Sequence, residues 1–136
     1  MQHTTNYNLN QWEDADRVTR ADVNADNTKI DAALKSVSDA SPEIVFGTYT
    51  GDNEETRTIS LGRAAKILFV MPMGCEVVSS SRSRMALAAQ GHPAQNEGGN
   101  QVLTLTDSGF VARNLSSHPD CHLNDQYYTY YYVAIF

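Results

Sequence analysis

Cysteine is scarce in this chain: there are two, Cys75 and Cys121, among 136 residues. Two cannot make the disulfide framework that staples small secreted domains, so both read as free, structural thiols. Long apolar runs are missing too. None approaches the roughly 20 residues that a membrane span needs, so no membrane insertion is expected. The opening Met1-Gln2-His3-Thr4-Thr5-Asn6 is polar and has no apolar signal-peptide core. These absences predict a protein made in a cytosol and soluble there, leaving by some route other than secretion if it leaves, for example lysis. Positive charge is in short supply as well. Lys and Arg number 10 against 16 Asp and Glu, for a net charge of −6. Arg57, Arg63, Lys66, Arg82, Arg84 and Arg113 are dispersed and form no basic stripe, which argues against nucleic acid as a partner.

Catalytic patterns are also lacking. No spaced carboxylate pair suggests a glycosidase, and Gly98-Gly99 stands outside any phosphate-loop context. The densest group of ligand-type side chains is His118-Pro119-Asp120-Cys121-His122. His118, Cys121 and His122 could reach a zinc ion, but their spacing matches no standard site, and the segment reads as a polar surface loop. The other arrangement is one histidine from each of three subunits around an axis. The expectation is a protein that is not an enzyme, with no catalytic residue, resident metal or cofactor.

What the chain does have is an unusual end. Five of its seven tyrosines fall in Tyr127-Tyr128-Thr129-Tyr130-Tyr131-Tyr132-Val133-Ala134-Ile135-Phe136. Chain ends are normally frayed and polar. One this apolar must be packed as a strand or it becomes an aggregation hazard. Tyrosine joins an apolar body to a polar tip and so suits both subunit interfaces and sugar-stacking surfaces.

The hydrophobic period changes along the chain. In residues 1–18, Tyr7, Leu9 and Trp12 are the apolar anchors, and Asn10 with Glu13 can cap a short helical turn. Residues 19–38 form the main helix candidate. Thr19 and Asp22 cap its start, Asp22 and Asp26 lie near its positive end, and Ser41-Pro42 ends it. Val23, Asn27, Ile30, Leu34 and Val37 step by four and three, as in a coiled-coil seam with a polar residue setting register. The same spacing also fits an amphipathic helix lying on the domain.

From residue 43 the period is two. Strands are expected at 43–50, 56–61, 66–71, 101–106 and 127–135, with weaker candidates at 76–79 and 85–89. The apolar 66–71 reads as a central strand buried on both faces. Asp107-Ser108-Gly109 joins 101–106 to Phe110-Val111-Ala112 as a hairpin. About eight short strands at roughly ten-residue spacing point to a sandwich or jelly roll. The division expected is an N-terminal attachment segment and helical stem over 1–41 and a β head over 42–136.

The opening Tyr7-Asn8-Leu9-Asn10-Gln11-Trp12-Glu13, then Asp16-Arg17-Val18, then Asp22-Val23-Asn24 through Ile30-Asp31-Ala32-Ala33-Leu34, resembles the start of tail-fibre proteins in phages and prophages of Firmicutes. Val23 stands where that pattern has Phe. The remainder resembles the family's C-terminal head: Gly47-Thr48-Tyr49-Thr50-Gly51, Arg57-Thr58-Ile59-Ser60-Leu61-Gly62, Leu103-Thr104-Leu105-Thr106 with Gly109-Phe110, and the closing Tyr131-Tyr132-Val133-Ala134-Ile135-Phe136. The usual Phe-x-Pro after Leu-Gly is Arg63-Ala64-Ala65 here. The head is also loosely similar to the trimeric sandwiches of H-type lectins.

The resemblance implies a mainly β chain: a helical stem followed by an antiparallel, jelly-roll-like β-sandwich head, assembled as a homotrimer on a phage tail. It would sit in the virion and attach it to a bacterial surface glycan by multivalent binding without catalysis. The alternative is a baseplate or tail accessory protein that binds only other virion proteins. Contact loops are expected at 80–84, 92–100 and 114–128. The candidate ligand residues are Arg82, Arg84, His92, Asn96, Asn114, His118, Asp120, His122, Asn124, Tyr127 and Tyr128. The expected oligomer interface is the seam Val23, Asn27, Ile30, Leu34 and Val37, with Tyr130 and Tyr132 of the last strand.

Overall fold

A computed structural model describes residues 1–78, 82–115 and 120–136. The chain is mainly β with one helix among the described residues, and it divides into two compact units, Met1–Ser41 and Pro42–Phe136.

In the first unit, β1 (Gln2–His3) and β2 (Asn10–Gln11) pair antiparallel, and α1 runs Arg20–Ala40. Thr19 caps α1 by accepting the Asp22 N–H (3.3 Å), which satisfies one otherwise orphan donor. Asn10 does not cap a helical turn. Its N–H donates to the Asp26 carboxylate (3.0 Å), which holds β2 against α1. Lys29 adds to this by pairing with Asp26 (3.3 Å) and donating to the Asn8 carbonyl. No residue of α1 is buried. Tyr7 and Leu9 line a groove with Ile30, Ala33, Leu34 and Val37, so part of the apolar stripe is met by the chain's own start. Asn27 lies exposed.

The second unit holds ten strands among the described residues: β3 (Ile44–Thr50), β4 (Thr56–Ser60), β5 (Ile67–Pro72), β6 (Arg82–Ser83), β7 (Ala86–Ala89), β8 (Ala94–Gln95), β9 (Gln101–Thr106), β10 (Gly109–Leu115), β11 (Asp120–His122) and β12 (Thr129–Ile135). They form two sheets. One has the order β3-β12-β5-β7; in the other β6, β11, β10, β9 and β8 follow in line, and β4 also pairs with β10. Every pairing is antiparallel except β6 with β11.

The aromatic C-terminus becomes an internal strand. β12 pairs with β3 from Thr129↔Thr50 to Ile135↔Ile44, and with β5 from Tyr130↔Pro72 to Ile135↔Ile67. Its backbone is therefore bonded on both edges. Arg63 lies 3.8 Å over the Phe136 ring and pairs with Glu43.

The hairpin forms with a two-residue turn, Asp107-Ser108, because Gly109 already pairs with Thr106. A Cβ on Gly109 would stand 2.0 Å from the Ile59 carbonyl oxygen, so the bare glycine is what lets β4 approach β10.

Strand alternation decides the core. Tyr49, Leu68, Val70, Tyr130 and Ala134 point inward from the first sheet and meet Leu103, Phe110 and Ala112 of the second. Tyr49 stacks on Tyr130 at 5.2 Å, and Phe110 meets Tyr49 and Tyr132 edge-on at 5.8 and 5.3 Å. This corrects the expected interface: Tyr130 is fully buried within the protomer and Tyr132 packs against the same core. It also corrects 66–71. β5 is internal to its sheet, yet only Leu68, Val70 and Pro72 are buried, and Ile67 is 40% exposed. The other face of this sheet carries Ile44, Phe46, Ile67, Phe69, Met71, Leu87, Tyr131, Val133 and Ile135, none of them buried.

Candidate functional site

The expected contact loops do converge, though on different residues. Ser83 of β6, Ala94 and Gln95 of β8, Asn96 and Glu97 beyond it, and Cys121 of β11 line one cleft of about 340 Å³. Met85, Ala86 and Val102 supply its apolar wall. That volume lies at the small end of the range typical of ligand sites.

Asn96 is positioned by a tight turn. Its N–H donates to the Asn100 carbonyl (3.0 Å), its Oδ1 accepts the Asn100 N–H (2.9 Å), and its carbonyl accepts the Gly99 N–H (2.9 Å). Gly99 sits at φ 77°, a conformation that favours glycine. These bonds fix which amide atom points where, and they leave Nδ2 buried with no hydrogen-bond partner. An unmatched buried donor beside a cleft is a natural place for a ligand acceptor. The Ser83 hydroxyl donates to the Met85 carbonyl (3.2 Å) and retains its acceptor lone pairs. The register irregularity between Ala94 and Gln95 turns successive side chains of this segment toward the cleft. Cys121 lines the floor as a neutral thiol, because burial pushes it from its ordinary value of 9.0 up to about 11. Both cysteines are free, with Cys75 half-buried.

The chemistry available is hydrogen bonding from Asn96, Gln95, Glu97 and Ser83 beside an apolar wall. That suits a small polyhydroxylated ligand with one apolar face. Among the described residues no group of three His, Cys, Asp or Glu side chains could hold a metal.

Of the expected ligand residues whose side chains are described, only Asn96 lines this cleft. Asn124 is a correction: it is fully buried and occupied by the fold. Its Nδ2 donates to the Asp52 carboxylate and the Glu54 carbonyl (3.0 Å), its Oδ1 accepts the Asp52 N–H (3.2 Å), and its own N–H goes to Asn114 Oδ1 (2.8 Å). Asn114 is thereby engaged in the fold as well. The Asp52 carboxyl is held below its usual value. Its partial burial acts to raise it, but the Asn124 amide, the Glu54 N–H and Arg57 together outweigh that.

Arg84 is a second correction. It is buried, donates to the Glu76 carbonyl (3.3 Å) and lies 4.8 Å over the ring of Tyr128, which is itself half-buried. Tyr127 is 82% exposed, and His92 is exposed at the end of β7. Arg82 is exposed on β6 and His122 half-buried on β11, away from the cleft lining. His118 and the side chain of Asp120 lie outside the described residues.

The contribution of Met85, Ala86, Ala94 and Val102 was hidden in the sequence, since small apolar residues in strands read as core. The Asn96-to-Asn100 turn was visible as a loop, but nothing in it marked Asn96 above its neighbours. No helix among the described residues is long and apolar enough to cross a membrane. Comparison with protein-family models, with curated proteins and with solved structures finds no match.

Proposed function

We propose that this chain is the tip protein of a phage tail fibre, attaching the virion to a bacterial surface glycan by multivalent, non-catalytic binding. In this reading Pro42–Phe136 is a β-sandwich head, Met1–Ser41 is the attachment segment and stem, and three copies assemble. The observation that carries the reading is the cleft: the described parts of the loops expected to carry contacts meet at one place, and Asn96, whose buried Nδ2 has no partner in the protein, is part of its lining. A cleft of this size holds one or two sugar rings, and sites that are weak singly gain their hold by being presented together. The order of the head motifs, which departs from the pattern at Arg63-Ala64-Ala65, supports the resemblance to tail-fibre heads.

A glycan array probed with the intact protein tests the proposal. Binding to a defined bacterial glycan is expected, and Asn96→Ala should weaken it about tenfold, the worth of one good hydrogen bond. No binding to any glycan or to intact host cells would reject the attachment role. The second reading, a baseplate or tail accessory protein, is favoured by one feature. Ile30, Leu34 and Val37 leave 41%, 65% and 61% of their surface exposed, a stripe able to dock on another virion protein or to pair with the helices of other copies.

A further inference from the structure

One face of the β3-β12-β5-β7 sheet packs inside the protomer; the other is covered by none of the described residues of the second unit. Register brings Phe46, Val133, Phe69 and Leu87 into a single row across all four strands, with Ile44, Ile135 and Ile67 in the row beside it. Phe46 is 73% exposed, Leu87 62% and Ile44 52%. We infer that this face is the contact between copies of the chain, each protomer's sheet lying against another's around the assembly axis.

Three observations select a second copy as the occupant. The first is charge. None of the four strands contains an Asp, Glu, Lys or Arg, although the chain as a whole carries −6. Copies of like net charge repel least across a neutral surface, and the four strands give a charged partner nothing to pair with. The second is area. At 150–250 Å² for a large side chain, these exposed and half-exposed groups present on the order of 500 Å² of apolar surface, as large as the largest patch a typical monomer leaves exposed. Met73, 49% exposed, and Val77 border a mostly apolar trough that begins at Met71 and Tyr131, has Glu76 as its one charged residue and carries the surface further. That moves it toward the roughly 800 Å² per partner of a specific interface. The third is width. Four strands at about 4.8 Å spacing make a flat surface some 14 Å across. A single helix about 10 Å wide covers only part of it, whereas the sheet faces of other copies gathered round an axis can cover all of it.

This inference supplies the contact that the proposed trimer requires and does not depend on sugar binding. The test is light scattering on the full chain, with far-UV circular dichroism as the check on folding. The wild type should scatter as a multiple of 15.0 kDa. Phe46→Asp should fall to the mass of one chain with its spectrum unchanged, since Phe46 is already exposed in the protomer. Leu87→Lys, at the far end of the same row, should do the same and covers the case in which Phe46→Asp misfolds. Leu34→Asp on α1 should keep the wild-type mass. A wild-type protein at one chain mass overturns the inference, as does an assembly that survives both sheet substitutions and dissolves on Leu34→Asp. A dimer broken by Phe46→Asp upholds this interface and rejects the trimer. An assembly of any size that binds no glycan upholds the interface and rejects the attachment role.

Discussion

At the scale of residues, the second unit is fastened by a few polar side chains working inside an apolar shell. Asn124 is the most connected of them. It joins the 52–54 turn to the end of β10 through Asp52, Glu54 and Asn114, with no exposure to water. Asn124→Ala would leave several of these groups unmatched at 1–3 kcal/mol each, so about 3 kcal/mol of stability should be lost. Urea unfolding measures this, and a loss under 1 kcal/mol would show that water replaces the amide. The buried tyrosines and Cys121 make a second prediction. Burial raises Cys121 from 9.0 to about 11 and Tyr130 from 10.0 to about 12, and it pushes Tyr49 up as well. Each group is neutral when folded and ionises more readily when unfolded. Its contribution is whole below the unfolded value and disappears as pH climbs through the folded one. Stability should thus decline between pH 9 and 12. Tyr49 and Tyr130 should ionise, seen as phenolate absorbance, only together with loss of the circular dichroism signal. Early ionisation of all seven tyrosines in a folded protein would contradict this.

At the scale of elements, period and turn chemistry made much of the second unit legible. β4 shows its Arg57/Ile59 side half-buried as the alternation required, and the β9–β10 hairpin forms around Asp107-Ser108. Helix α1 starts at the Thr19 cap and ends before Ser41-Pro42 because both signals are local. Asn10 to Glu13 was misread since a cap signature and a short strand use the same polar residues; only the distant Asp26 decides between them. The cleft was legible as a set of loops and not as residues, because its lining depends on which strands lie side by side. Gly109 shows how a local residue serves a remote pairing. Gly109→Ala should cost at least about 2 kcal/mol, since backbone and not a movable side chain stands in the way. Thermal unfolding measures the cost, and a wild-type midpoint would mean that β4 can shift to make room.

At the scale of the whole molecule, the last strand settles what the protein can do with its aromatic end. Composition alone would choose the wrong face, because Tyr131, Val133 and Ile135 are more apolar than Tyr130, Tyr132 and Ala134. The choice rests on Tyr130 standing opposite Tyr49, which places the first set in the core and turns the second toward solvent beside Phe46 and Phe69. A face of this kind left open to water invites association, and association would bring several clefts into one particle. The mass of the intact chain in dilute solution tests this most directly. Light scattering should give three times 15.0 kDa, unchanged on dilution through the micromolar range. A well-folded species of a single 15.0 kDa chain at every concentration would contradict it.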